Sequence, residues 1–176
     1  MLFFVWSSLI ISYDNKFETQ RVLEKKSLEH TLEKFKSSAN AEELSNYMFE
    51  YWMKPPIFDD AKEFFEKCQI PIYIVSNIDT ADIMKAIKYH NLIPTAVFTS
   101  EAAKAYKPRK ELFELALNST ELKLEEVIHI GDSISSDVKG AQSVGINTLW
   151  LNRFGKVIPE NVDNICSLID ALDIIK

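Results

Sequence analysis

The chain has 176 residues, 47% of them hydrophobic and 26% charged, the balance of an ordinary globular protein with chain enough for one or two domains. Its formal net charge is -6, so no global positive field draws it onto nucleic acid or an acidic membrane surface. Any anionic ligand has to be held by a local cluster.

The N-terminal stretch Met1–Phe17 is apolar. It has no basic leader and no small-residue cleavage site, and polar residues interrupt it long before a span of about 20 residues. It predicts a buried helix in a cytoplasmic protein. From Met1 to about Lys54 there is no glycine and the apolar residues recur at helical spacing, so residues 1–54 read as an all-helical region. Within it, Asn40-Ala41-Glu42-Glu43 predicts an N-cap, followed by Leu44, Met48 and Trp52 on one face. Pro55-Pro56 ends that helix and marks the domain junction.

After the prolines short apolar runs alternate with amphipathic helices. The pattern predicts a helix near 60–68, strand 71–75, helix 80–90, strand 96–99, helix 109–118, strand 127–130, helix 136–144, strand 147–151 and a last helix near 164–173. Such alternation implies a parallel sheet covered by helices, an α/β core over residues 55–176. Ile72-Tyr73-Ile74-Val75 and Val127-Ile128-His129-Ile130 are nearly all apolar, as strands buried on both faces are. Gly145 stands where a helix C-cap glycine precedes the strand starting at Asn147. Cys68 and Cys166 have neither disulfide-framework nor zinc-site spacing, so both are expected as reduced, buried thiols.

In open parallel sheets ligands bind beyond the carboxyl ends of the strands. The residues there are Ser76-Asn77 after the first strand, Lys107-Pro108 after the second, and Gly131-Asp132-Ser133-Ile134-Ser135-Ser136-Asp137 after the third. Asp132 and Asp137 form an oxygen-rich pair suited to a hard cation such as Mg²⁺. Each residue also has a plain alternative. Ser76, Asn77, Asp132 and Asp137 are all possible helix caps, and a lysine before proline is usually a solvated loop residue.

Order and spacing favour the joint reading. A hydroxyl after an apolar strand, Tyr106-Lys107-Pro108, and Gly131-Asp132 with Asp137 five residues on resemble the second, third and fourth motifs of the haloacid dehalogenase (HAD) superfamily. The resemblance reaches from about Pro56 to Arg153. It implies a Rossmann-like parallel sheet of the HAD type with an N-terminal helical cap. It further implies that Ser76, Asn77 and Lys107 bind a phosphoryl group, that Ser76 and Lys107 serve catalysis, and that Asp132 and Asp137 bind Mg²⁺. A Mg²⁺-dependent phosphatase acting on a small phosphorylated metabolite is the function it suggests.

The chain departs from the family at the first motif. That motif is an apolar strand ending in Asp-x-Asp, which supplies the nucleophile, and no Asp-x-Asp occurs in the sequence. Asp14 is followed by Asn15-Lys16, and Asp59-Asp60 reads as an N-cap. The core is therefore expected to lack its central strand, between those at 71–75 and 127–130, leaving edges open to aggregation or to another chain. A truncated copy is the leading explanation, and the chain is expected to be inactive or strongly impaired. The alternatives are a non-catalytic protein binding a phosphorylated ligand or a partner strand, and a haloacid dehalogenase.

Overall fold

A computed structural model describes residues 17–175. The predicted N-terminal helix, Asp14, and the aromatics Phe3, Phe4, Trp6 and Tyr13 lie outside the described residues. In chain order the elements are α1 (Gln20–Lys34), α2 (Ala41–Met53), α3 (Asp59–Lys67), β1 (Tyr73–Ser76), α4 (Thr80–His90), β2 (Ala96–Thr99), α5 (Ser100–Ala103) and α6 (Lys110–Thr120). They continue as β3 (Ile128–Gly131), a π-helical turn (Ile134–Val138), α7 (Lys139–Gln142), β4 (Asn147–Leu151), β5 (Asn164–Ile165) and α8 (Leu168–Ala171). The chain divides into two compact units: Met1–Pro56 with Asn77–Leu92 and Thr99–Tyr106, and Ile57–Ser76 with Ile93–Phe98 and Lys107–Lys176. No helix among the described residues is long and apolar enough to cross a membrane.

The first unit is helical and organised by buried carboxylates. Thr19, at the N-cap of α1, makes no side-chain cap. Its place is taken by Asp79, which accepts the Gln20 N–H at 2.7 Å and the Arg21 N–H at 3.0 Å. These are orphan donors of the first turn, and an anion there also meets the positive end of the helix. The Arg21 guanidinium forks onto Asp82 at 2.6 and 2.7 Å and lies 4.4 Å from the Phe49 ring centroid, so one side chain ties α1 to both α4 and α2. In α2, Asn40 Oδ1 caps as expected, accepting from Glu42 N and Glu43 N. The buried face differs from the predicted one: Leu44 is exposed while Ser45 and Phe49 are buried. The stripe is rotated by one residue because Phe49 packs under Arg21.

Glu24 is also buried in this unit. Burial pushes its carboxyl up, partly offset by a hydrogen bond from Gln20. A raised carboxyl contributes stability below the unfolded-state value that is lost as pH rises through the folded one. Glu24→Gln is therefore expected to raise the melting temperature at pH 7 and to leave it unchanged near pH 3, as thermal unfolding at the two pH values would show.

The second unit carries the sheet strands as two pieces. One is β1–β2; the other is β3–β4–β5, parallel throughout, with Gly131 opposite Trp150 and Leu151 opposite Ile165. β1 and β3 do not pair with each other. Between them lies a cavity of about 700 Å³ whose walls include Ile72–Val75 from one strand and Ile128–Gly131 from the other. Every residue of β1 and β3 is in consequence partly exposed, whereas three of the five residues of β4 are buried. The expectation of burial on both faces thus fails for both strands it was made for, which border the gap, and it is the interior of β4 that is buried. Among the described residues these edges have no strand partner, and edges of that kind are the usual sites of strand addition.

Elsewhere the chain follows its sequence with local differences. Gly145 has φ of +85° and ends α7 as a C-cap glycine. The last predicted helix, 164–173, is instead the two-residue strand β5 followed by α8. Its start is fixed by Ser167, which accepts from Ile169 N, and by Asp170, which accepts from Ser167 N. Cys166 is exposed, not buried. Asp60 does not cap α3; Phe58 occupies that position. Its carboxylate accepts from Arg153 at 2.6 Å, Ser167 Oγ at 3.0 Å and Leu168 N at 2.8 Å. Burial would raise the Asp60 carboxyl, but these donors outweigh it and hold it below the ordinary range. Arg153 is thereby fixed, and it stacks over Phe58.

Candidate active site

β1 ends at Ser76, which is partly buried, and Asn77 follows in the bend before α4. Neither residue is the cap of α4, because Asp79 occupies that position. Lys107 follows Tyr106, and its side chain is nearly buried, not solvated. Its ammonium donates to the Val75 carbonyl at the end of β1, at 2.9 Å, and to Asp137 Oδ1 at 2.6 Å. The lysine therefore links the carboxyl end of β1 to the turn that follows β3.

Asp137 is the most heavily bonded carboxylate of this group. Oδ1 also faces His129 Nε2 at 3.4 Å, and Oδ2 accepts the Ser133 N–H at 3.0 Å. Burial would raise its carboxyl. The His129 contact, the Lys107 charge and the Ser133 amide outweigh that and hold it far below the usual carboxylate range. Both of its oxygens are thus committed within the protein. The helix-cap reading of Asp137 fails, since Ser133 is the cap residue and its Oγ accepts from Ser136 N. The five residues Ile134–Val138 wind as a π turn, a form common at functional sites.

Gly131 makes this packing possible. A Cβ at that position would lie 2.4 Å from both Cβ and Cγ of Asp137, well inside contact distance. Gly131→Ala is expected to displace the carboxylate and cost about 1–3 kcal/mol, the usual range for overpacking, measurable by urea unfolding.

Asp132 is exposed at the edge of the cavity between β1 and β3. Among the described residues no group of three or more His, Cys, Asp and Glu side chains forms a metal cage. Mg²⁺ does not need one, because it is commonly held by one or two carboxylates with water and substrate phosphate completing six oxygens. The donor set fits that pattern, with Asp132 as the accessible carboxylate and Asp137 buried behind it.

Sequence reading assigned no role to three contributors: His129, Ser133 and Trp150. His129 left a signal, as the one polar side chain in an apolar strand run, whereas a tryptophan inside a strand reads only as core. Lys104 is exposed and sits over the Phe17 ring in the first unit. Arg109 pairs with Glu111.

The profile of the haloacid dehalogenase-like hydrolases matches residues 10–145. The HAD-hydrolase YfnB of Bacillus subtilis is 31% identical over 111 residues, covering 61% of this chain and 45% of YfnB. A glyceraldehyde 3-phosphate phosphatase of Pyrococcus furiosus is 38% identical over 60 residues, which is 34% of this chain and 25% of that protein. The chain thus spans half or less of the length of these curated relatives. A crystal structure of YfnB bound to magnesium superposes with a TM-score of 0.81 at 23% identity, over 97% of this chain and 78% of that one. An L-2-haloacid dehalogenase of Xanthobacter autotrophicus superposes with a TM-score of 0.83 at 16% identity, over 97% and 81%. At these identities the superpositions establish the fold, and together with the profile match over most of the sequence they make this chain a member of the haloacid dehalogenase-like hydrolase family.

Proposed function

We propose that the chain carries the phosphate- and magnesium-handling part of a HAD phosphatase acting on a small phosphorylated metabolite. The observation that carries this reading is the Lys107–Asp137–His129 group with Asp132 exposed beside it. A buried lysine held at the end of β1 places a positive charge where a phosphoryl group would meet Ser76. Asp132, an accessible carboxylate lining the same cavity as Lys107, would suit a hard cation such as Mg²⁺. Phosphoryl transfer depends mainly on such positioning and charge neutralisation. When bound, Mg²⁺ would draw charge from the phosphoryl oxygens, with Asp132 as the direct ligand. The kinship with a glyceraldehyde 3-phosphate phosphatase favours phosphate esters over halo-acids, and a carbon–halogen cleavage has no use for a metal-binding carboxylate.

Turnover needs a nucleophilic carboxylate as well, and the sequence has no Asp-x-Asp. The chain by itself is therefore a binder with little or no hydrolytic activity, and a second reading, a non-catalytic phospho-ligand protein, shares the same site. Calorimetric titration with MgCl₂ and inorganic phosphate tests the common part. Binding of Mg²⁺ that Asp132→Asn abolishes, and of phosphate that Lys107→Ala weakens, is the expected result; no binding of either ion would sink the proposal. Hydrolysis of p-nitrophenyl phosphate separates the two readings. Mg²⁺-independent release of halide from 2-chloropropionate would favour a dehalogenase instead.

A further inference from the structure

The peptide unit joining Asp132 to Ser133 is held at both of its polar ends. Its carbonyl accepts from the Trp150 indole N–H at 3.0 Å, and its N–H donates to Asp137 Oδ2 at 3.0 Å. Both holders are buried, Trp150 at 2% exposure and Asp137 at 5%, and both are themselves fixed. Trp150 lies in β4 opposite Gly131, and its own backbone N–H is bonded to the Asp163 carbonyl at 2.8 Å. Asp137 is anchored by Lys107. A peptide group is planar, so fixing its oxygen and its nitrogen fixes the plane. Together with the pairing of Gly131 in β3, the fixed plane sets the Cα–C axis of Asp132 and narrows its ψ, and with it the directions open to the Cα–Cβ bond.

Asp132 needs this support. Its side chain is exposed, so packing does not orient it, and the glycine before it gives the backbone unusual freedom. We infer that Trp150 and Asp137 clamp the Asp132–Ser133 peptide from opposite sides, and that Trp150 is thereby a positioning residue for the cation ligand Asp132. This rests on reading Asp132 as the magnesium ligand. It also gives Asp137 a role through the backbone, distinct from direct coordination.

Trp150→Phe in the full chain removes the indole N–H while keeping an aromatic ring in β4. Leu149→Ala is the control, because Leu149 is buried next door in β4 and its side chain points to the opposite face of the strand from Trp150. Calorimetric titration with MgCl₂ is expected to show Trp150→Phe binding about three- to tenfold more weakly than the parent, the worth of one neutral hydrogen bond. Leu149→Ala should bind like the parent. Equal affinity in Trp150→Phe, or an equal loss in Leu149→Ala, overturns the inference. Should the parent itself not bind Mg²⁺, the functional reading fails, and hydrogen exchange of the Ser133 amide decides the clamp without metal. Faster exchange in Trp150→Phe but not in Leu149→Ala supports it, and unchanged exchange in both overturns it. If Trp150→Phe does not fold, benzothienylalanine, which keeps the indole shape with sulfur in place of N–H, can be incorporated at position 150 for the same measurements.

Discussion

Asp137→Ala is expected to lower the unfolding free energy by about 3–5 kcal/mol at pH 7, the range found when one partner of a buried ion pair is removed. The side chains of Lys107 and Asp137 are 11% and 8% exposed, so the ammonium left behind loses its carboxylate in a place that water reaches poorly. The Ser133 amide loses its acceptor at the same time. Asp137→Asn should cost less, because an amide oxygen can still accept from Ser133. Urea titrations of the three proteins would give the order directly.

The same carboxylate sets a pH dependence. Its folded-state value is depressed, so in acid the unfolded chain binds the proton more readily than the folded one, and stability falls as pH falls. The contribution is fully present above the ordinary carboxylate value of about 4 and is lost progressively below it. Asp60, depressed by Arg153 and Ser167, adds a loss of the same sign. The gap between the parent and Asp137→Asn is therefore expected to be widest at neutral pH and to narrow below about pH 4. A gap that is constant with pH would mean that the charge of Asp137 contributes nothing to folding.

How far the sequence disclosed this arrangement depends on the range of the interaction involved. Period and punctuation are local, and they placed nearly every helix and strand within a few residues, including the cap at Asn40 and the glycine at 145. What they could not place depends on contacts distant in sequence. β5 is two residues long and exists because β4 offers it an edge. Asp60 reads as an N-cap until Arg153 and Ser167 arrive from the other end of the chain. The π turn after β3 replaces the first turn of a predicted helix because Asp137 folds back onto Ser133, a geometry that helical spacing does not encode.

The candidate site was legible for a related reason. Ser76, Lys107, Asp132 and Asp137 follow strand ends, and strand ends are what the sequence marks best. Their relations were not legible. Spacing brought two carboxylates to the same rim, whereas one is exposed and the other is locked to a lysine and a backbone amide. The absent Asp-x-Asp was a sequence fact, and among the described residues β1 and β3 border a cavity.

Phe113→Ala is the other substitution with a large expected cost, about 3–5 kcal/mol for a fully buried aromatic. Phe113 is 1% exposed and packs with Ala141 and Ile146. Its ring meets His129 edge-on at 5.2 Å, so it also backs the imidazole that faces Asp137. Phe113→Leu should cost much less, under about 1.5 kcal/mol, since it keeps most of the volume. Gly140 provides a sharper check. A Cβ there would stand 2.6 Å from the Phe113 ring and 3.1 Å from Pro108 Cα, so α7 approaches α6 only because position 140 has no side chain. Gly140→Ala alone should therefore destabilise the protein. In the Phe113→Ala background the ring that it strikes is gone, and its cost should shrink, giving a double-mutant coupling of about 1 kcal/mol or more, as for residues in direct contact. Simple additivity of the two costs would show that the ring and the glycine do not meet, and the placement of α7, with Asp137 in the turn leading into it, would have to be drawn differently.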